Sequence, residues 1–185
     1  IVLHDIHLDS TTDVANRFPA RHRDDGHYYA IDFTLAEVKT LRAVERYGAD
    51  GAPVFPGRFP AGPGLFEVPT LAEEIALIEG LNRSRGVSAG LYIEMKNSAL
   101  HRAEGQDLPA AVLRVLEEAG WADRADRVFL QSFEPEALRY LRFDLKTPLP
   151  LIQLIGENGW APDSPTDYET MRSDGGLDEV ARYAD

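Results

Sequence analysis

The sequence predicts an α/β protein that forms part of a (β/α)8 TIM barrel, with an insertion after the first strand present. Three observations support this prediction: strand and helix patterns alternate, polar residues recur on one face of the predicted strands, and one long segment interrupts the alternation. Strands that alternate with helices are typically parallel, because a parallel pair needs a long crossover connection. A doubly wound sheet has helices on both faces, so a recurring polar face favours a barrel with an active site at its mouth.

Four short segments have the apolar composition and the alternation of β-strands. They are residues 1–5, 90–96, 127–133 and 150–156. Because successive side chains of a strand point to opposite faces, Glu94 and Lys96 share one face of the second strand. The corresponding face of the other strands carries His4, Gln131 and Gln153. We therefore predict the rim of an active site at the carboxyl ends of these strands.

The helices between these strands are predicted from their start and stop signals. Two of them begin with the spacing of a capping box, in which a Thr precedes a Glu by one helical turn. The pairs are Thr34 with Glu37 and Thr70 with Glu73. A third helix starts after Asp107, which can cap it, and Gly120 would end it. Shorter helices are predicted from residues 135 and 177.

Residues 8–68 interrupt the alternation and are interpreted as an insertion within the barrel domain. A connection between a strand and the following helix usually has only a few residues, so this one is too long for an ordinary loop. We predict that the insertion contains a helix near 34–46 and lies at the carboxyl end of the first strand. Because a whole barrel has eight strands and about 250 residues, we expect residues 1–185 to be a fragment of one barrel domain.

The composition excludes several classes of function. The net charge of −12 argues against nucleic acid as a partner, because a phosphate-dense surface would repel the protein. The chain has no Cys, which excludes disulfides and thiolate metal sites. No apolar run approaches the roughly 18 residues of a transmembrane helix, so no membrane span is predicted. The charge says less about a small anionic ligand, which a local metal ion or Lys could hold, and the sequence does not indicate an oligomeric state.

Two sets of residues are candidates for chemistry. His4 ends a predicted strand, where it is either a catalytic group or a structural histidine, and Asp5 alternates to the opposite face. Glu94 is a candidate oxygen ligand for Mg²⁺ or Ca²⁺, and Lys96 is a candidate partner for an anionic substrate. The alternative for these two is a simple ion pair on one strand face. Gln131 is either structural or a minor contributor to substrate binding.

Several stretches of the sequence together resemble the glycerophosphodiester phosphodiesterase family, in particular its bacterial periplasmic branch. They span nearly the whole chain in the family's order, including the long insertion. The stretches are "IVLHDIHLDSTTDVANRFPARHRDDGHYYAIDFTLAEVKTL", "FPGRFP", "PTLAEEIALIEGLN", "LYIEMK", "VFLQSFEPEALRYL" and "LIQLIGENGW". No single stretch is specific by itself, but the set is.

The resemblance implies that the chain holds about strands three to six of the barrel and belongs to a metal-dependent hydrolase. The reaction would convert glycerophosphodiesters to sn-glycerol 3-phosphate and an alcohol by His acid/base catalysis. His4, in "HD", would be one of two catalytic histidines, and Glu94, in "IEMK", one of three acidic ligands of Ca²⁺ or Mg²⁺. Lys96 would face the substrate phosphate. The family's "HRG" motif and Glu-x-Asp pair do not occur in this sequence, so we expect activity to need segments outside it.

The resemblance also implies a periplasmic or secreted location. Two alternatives stay open at this point. The first is a catalytically inactive barrel that serves as a binding module, which would lack the "HRG" or Glu-x-Asp residues. The second is a sphingomyelinase D-like phospholipase, which shares the chemistry and would be favoured by an apolar surface for contact with lipid.

Overall fold

The computed structural model describes residues 1–48, 52–58, 64–160 and 165–185. These residues divide into two compact units, Ile1–Glu73 and Glu74–Asp185. Parts of the predicted insertion, residues 49–51 and 59–63, lie outside the described residues. Each unit is described separately below.

The second unit contains a three-stranded parallel sheet, which confirms the predicted α/β class. The strands are β1 (Leu91–Glu94), β2 (Val128–Ser132) and β3 (Leu151–Gln153). Their order in the sheet is β1-β2-β3, and the register pairs Glu94 with Gln131 and Gln131 with Ile152. Helices connect consecutive strands, as parallel pairing requires. The carboxyl ends of the three strands therefore lie at one edge of the sheet.

The described residues form eight α-helices, most of them short. They are α1 (Val14–Arg17), α2 (Leu35–Val38), α3 (Leu71–Arg85), α4 (Ser98–Ala103), α5 (Leu108–Glu118), α6 (Pro135–Arg139), α7 (Tyr168–Met171) and α8 (Asp174–Val180). Single turns of 3-10 helix occur at Ala30–Asp32 and Asn158–Trp160, and a π-helical turn, Tyr140–Asp144, extends α6. Among the described residues, no helix combines the length and the apolar character that crossing a bilayer needs.

Both predicted capping boxes are confirmed. The Thr34 side chain accepts a hydrogen bond from the Glu37 amide, and the Glu37 carboxylate accepts one from the Thr34 amide at 2.8 Å. Thr70 and Glu73 make the same reciprocal bonds, with the Thr70 amide 2.7 Å from the Glu73 carboxylate. Each pair thereby satisfies two amide donors that the first turn of a helix leaves without a partner.

Helix α5 begins and ends at the predicted residues. The Asp107 carboxylate accepts a hydrogen bond of 3.0 Å from the Ala110 amide at the start of the helix. At its end Gly120 has a φ of 70°, a left-handed conformation that glycine adopts without steric cost. This turn lets the Trp121 amide donate to the Leu116 carbonyl at 2.7 Å, as in a Schellman motif.

The helix predicted near 34–46 is much shorter than expected, because only α2 forms. The amides that would continue the helix bind partners elsewhere in the first unit. The Ala43 amide donates to the Phe66 carbonyl at 2.8 Å, and the Val44 amide donates to the Thr11 carbonyl at 2.9 Å. Tertiary hydrogen bonds therefore replace the helical ones after the first turn.

The strand predicted for residues 1–5 does not form. This segment makes only isolated backbone bonds, such as that from the Val2 amide to the Pro69 carbonyl at 2.8 Å. His7 then makes a single bridge to Tyr29. An apolar segment becomes a strand only where a second strand supplies a ladder of hydrogen bonds, and none of the described strands pairs with this one. The prediction was wrong because sequence alternation does not supply a partner.

The first unit has a hydrophobic core of its own, assembled largely from residues of the predicted insertion. The buried side chains of this core are Leu8, Val14, Tyr28, Phe33, Val38, Leu41 and Val68. Because the elements around it are single turns and loops, packing of these side chains stabilises the unit more than regular secondary structure does.

Candidate active site

The second unit has a cavity of about 950 Å³ at the carboxyl ends of its strands. Glu94 ends β1 and Lys96 follows it, while Phe133 and Glu134 follow β2, and Trp160 follows β3. All five side chains line the cavity. Binding sites of parallel sheets are typically found at this edge, because the loops after the strands converge there.

The structure brings two of the sequence-predicted site residues, Glu94 and Lys96, into this cavity. Gln131 pairs with Glu94 in the strand register, but it is not among the residues that line the cavity. Gln153 is structural, because its amide donates to the carbonyl of Phe133 at 3.2 Å and its Oε1 accepts from the Tyr183 hydroxyl at 3.0 Å. The substrate role of Gln131 stays a prediction.

His4 lies in the first unit, with 74% of its side chain exposed to solvent. Its Nδ1 is 2.6 Å from Oδ1 of Asp5, so the two side chains meet and do not alternate to opposite faces as predicted. Oδ2 of Asp5 accepts hydrogen bonds from the Ser10 hydroxyl at 2.9 Å and from Arg46 Nη2 at 2.7 Å. The alternation failed here because residues 1–5 are not a strand.

These contacts determine the ionisation state of the Asp5 carboxyl group. Burial raises the pKa of the Asp5 carboxyl, but the hydrogen bonds from His4, Arg46 and Ser10 and the charge of Arg46 outweigh it and lower that pKa well below its usual range. An ionised carboxylate can only accept hydrogen bonds, so in neutral His4 the proton must sit on Nδ1. In this tautomer Nε2 of His4 carries no proton, so it is the ring nitrogen that can accept one.

Arg46, which holds Asp5, is itself held by a buried carboxylate. Oε1 of Glu45 accepts hydrogen bonds from the Arg46 amide and from Arg58 Nη2, both at 3.0 Å. Only 3% of Glu45 is exposed, and a buried charge of this kind requires paired donors. The predicted insertion thus holds the backbone at Arg46 through Glu45 and supplies the Arg46 guanidinium that binds Asp5.

A second His–Asp pair in the first unit has a structural arrangement. The ring of His7 stacks on the ring of His27 at a centroid distance of 4.4 Å. Nδ1 of His27 lies 3.0 Å from Oδ2 of Asp9, whose other oxygen accepts from the Tyr28 amide at 3.0 Å. Burial raises the pKa of Asp9, and these two hydrogen bonds outweigh it, so the net pKa is lowered. The hydrogen bonds of Asp9 thus connect its loop to the loop that carries His27 and Tyr28.

Sequence reasoning missed Ser10, Arg46 and the aromatic residues of the cavity. Arg46 is 41 residues from Asp5 along the chain, and no spacing rule connects residues that far apart. Phe133 and Trp160 had a signal that could have found them, since each follows the carboxyl end of a predicted strand.

Glu94 by itself does not complete a site for the expected divalent cation. Ca²⁺ takes about six to eight oxygen ligands and Mg²⁺ about six. In the described ranges no group of three or more His, Cys, Asp or Glu side chains is placed to hold a metal ion. The Glu94 carboxylate suits one ligand position, so these residues do not fit a complete metal site. No chemical step below is therefore routed through an ion.

Comparison with known proteins shows the family to which the chain belongs. The model of the glycerophosphoryl diester phosphodiesterase family matches residues 1–185. A glycerophosphodiester phosphodiesterase of Haemophilus influenzae is 38% identical over 201 aligned residues, which cover 100% of this chain and 55% of that protein. The enzyme of the same name from Treponema pallidum is 34% identical, covering 96% of this chain and 54% of that protein.

A solved structure is also similar to this chain. The crystal structure of a proposed glycerophosphoryl diester phosphodiesterase from Silicibacter pomeroyi superimposes with a TM-score of 0.56 at 25% identity. The match covers 90% of this chain and 54% of that one. The chain therefore spans about half the length of the curated relatives it matches. Since the family model matches it from end to end, the chain belongs to the glycerophosphoryl diester phosphodiesterase family.

Proposed function

We propose that the intact protein hydrolyses glycerophosphodiesters to sn-glycerol 3-phosphate and an alcohol. The observation that carries this proposal is the cavity at the strand ends, which is lined by both an acidic residue, Glu94, and a basic residue, Lys96. Both curated relatives described above are named for this activity. An ammonium group suits the anionic phosphate, because it neutralises charge where the phosphate binds.

In this mechanism His4 is one of two acid/base groups. The glycerol hydroxyl of the substrate attacks phosphorus and gives its proton to the base, while the bond to the head-group oxygen breaks and the departing alkoxide takes a proton from the acid. Water then opens the cyclic phosphate. Imidazole suits either proton transfer, because its ordinary pKa lies near neutrality. The hydrogen bond between Nδ1 and Asp5 makes Nε2 of His4 the reacting atom, so Asp5 is a positioning residue.

We propose further that the sheet is part of a (β/α)8 barrel in the whole protein. The sequential order β1-β2-β3 supports this, because neighbours in the chain are neighbours in a barrel, whereas a doubly wound sheet reverses its order. A periplasmic or secreted location belongs to the same proposal and rests on the resemblance of the sequence to the periplasmic branch.

The proposal is tested by the products that the intact protein releases. With glycerophosphocholine and glycerophosphoglycerol as substrates, we expect release of sn-glycerol 3-phosphate, measured with a coupled dehydrogenase. Binding of these diesters without release would support the inactive binding module. Cleavage of sphingomyelin with no action on glycerophosphodiesters would support the sphingomyelinase D-like alternative.

Metal dependence is a separate part of the proposal, with Glu94 as one oxygen ligand of Ca²⁺ or Mg²⁺. In the intact protein Glu94→Gln should weaken Ca²⁺ affinity by about tenfold or more, because an amide oxygen lacks the charge of a carboxylate. Calorimetric titration measures this affinity, and added metal should partly restore activity. Glu118→Gln, an exposed carboxylate at the end of α5, is the matched control. An unchanged titration of Glu94→Gln would leave Glu94 with only an ion-pair role.

A further inference from the structure

Three aromatic rings form an aromatic group at the carboxyl edge of the sheet. Phe133 follows β2, Trp160 ends the 3-10 turn after β3, and Tyr168 begins α7. The centroid of the Phe133 ring is 6.1 Å from that of Trp160 and 6.3 Å from that of Tyr168. The interplanar angles are 72° and 82°, so the other two rings are both steeply inclined to Phe133. All three residues line the cavity that holds Glu94 and Lys96.

A glycine lets these rings come close to one another. A Cβ atom at Gly156 would lie 3.1 Å from the Trp160 ring and 3.4 Å from the rings of Phe133 and Tyr168. The rings therefore converge on a position that carries no side chain. Because Tyr168 is also buried and donates from its hydroxyl to the Phe133 carbonyl at 3.3 Å, this side of the cavity is formed before any ligand binds.

Trp160 is the solvent-exposed member of the aromatic group. It is 69% exposed, whereas the other tryptophan, Trp121, is fully buried. Trp121 buries its ring and satisfies its Nε1 donor by a 2.8 Å bond to Glu79, as a structural tryptophan does. An indole that lines a cavity and still faces solvent has a large surface available for a ligand.

The cavity is also lined by charged residues of both signs. Lys96 supplies the cation that suits a phosphate. Glu134 follows Phe133 directly, is partly buried, and accepts one hydrogen bond of 3.2 Å from the Ala99 amide. Arg102 also lines the cavity, but its guanidinium group lies over the Tyr140 ring at 4.6 Å. A carboxylate is thus placed next to the aromatic group.

We propose that the aromatic group and Glu134 form a subsite for the alcohol part of the substrate, and that this subsite selects cationic head groups, above all a quaternary ammonium. The proposal rests on the proposed function and names its substrate class. A quaternary ammonium has no N–H donors, so it is recognised by aromatic faces and by carboxylates at longer range. A zwitterionic diester then matches a cavity with Lys96 for its phosphate and the exposed Trp160 ring for its cation.

The test compares two substrates of the intact protein that differ only in charge. They are glycerophosphocholine and its neutral isostere, the 3,3-dimethylbutyl ester of glycerol phosphate. We expect the wild type to prefer the cationic substrate in kcat/KM, and Trp160→Leu to reduce that preference by about 3- to 30-fold, the range of one cation–π contact. Trp160→Phe keeps an aromatic face and should retain most of the preference. Phe143→Leu replaces an exposed aromatic residue outside the cavity and is the matched control.

A binding measurement separates failure of this inference from failure of the proposed function. Tetramethylammonium should bind the wild type in a calorimetric titration more tightly than 3,3-dimethylbutanol, and Trp160→Leu should abolish the difference. If this holds while no diester is hydrolysed, the subsite stands and the proposed function fails. Equal kcat/KM for both substrates, or a preference that Trp160→Leu leaves unchanged, would overturn the subsite even in an active enzyme.

Discussion

His4→Ala should lower kcat for glycerophosphocholine by about 10²- to 10⁴-fold in the intact protein, the usual contribution of one positioned acid or base. Fold and metal binding should stay intact, because the His4 side chain is largely exposed and lies outside the core of the first unit. The measurement is steady-state kinetics together with thermal unfolding. His22→Ala, which removes another exposed histidine of the same unit, should leave kcat near the wild-type value.

A second substrate assigns the role of His4 in the reaction. A nitrophenyl ester of glycerol phosphate has a leaving group that departs without protonation. If His4 is the general acid, His4→Ala loses far less activity on this ester than on glycerophosphocholine. If His4 is the base, the losses on both substrates are similar. Turnover near the wild-type value on both would show that His4 is structural and that our assignment is wrong.

Asp5→Asn should lower kcat by about 10²- to 10⁴-fold, because a histidine in the wrong tautomer loses most of the contribution of a positioned acid or base. The Asp5 carboxylate only accepts hydrogen bonds and so holds the proton of neutral His4 on Nδ1. An asparagine amide can donate to Nδ1 instead, which moves the proton of neutral His4 to Nε2 and removes the acceptor that a base needs; if His4 is the acid, the substitution removes the carboxylate that stabilises its imidazolium form. The change is therefore expected in kcat more than in KM.

The tautomer of His4 gives a readout that a purely structural role would not change. In ¹⁵N spectra of the imidazole, the wild type should show neutral His4 protonated at Nδ1, and Asp5→Asn should shift the population towards Nε2. Asp9→Asn alters the other His–Asp pair of the unit and should leave both the His4 spectrum and kcat unchanged. An Asp5→Asn enzyme with normal kcat and the wild-type tautomer would contradict the positioning role.

Local signals in the sequence predicted the second unit well. The capping residue Asp107 acts within one helical turn, and Gly120 ends the same helix by its own conformational freedom. The predicted strands at 90–96, 127–133 and 150–156 contain β1, β2 and β3. The predicted strand 90–96 has Glu94 near its carboxyl end, and alternation along a strand decides on which face the side chain lies. The placement of Glu94 at the end of β1 therefore followed from the sequence alone.

The first unit was predicted less well, because its structure depends on contacts between distant residues. Residues 1–5 alternate like a strand, yet no described strand pairs with them, and the helix near 34–46 stops where amides find tertiary partners. The consequence for the site is the contact between His4 and Asp5, which a strand would have placed on opposite faces. Arg46 holds this pair from 41 residues away.

The sequence by itself determined the family resemblance, the α/β class and three of the candidate site residues, His4, Glu94 and Lys96. These depend on residue identity and on periodicities that span a few residues, and both can be read along the chain. Only the tertiary structure showed that Asp5 holds His4 and that Phe133, Trp160 and Tyr168 meet beside Glu134. The physical reason is that a hydrogen bond or a ring contact depends on distance in space, which packing of the whole unit decides.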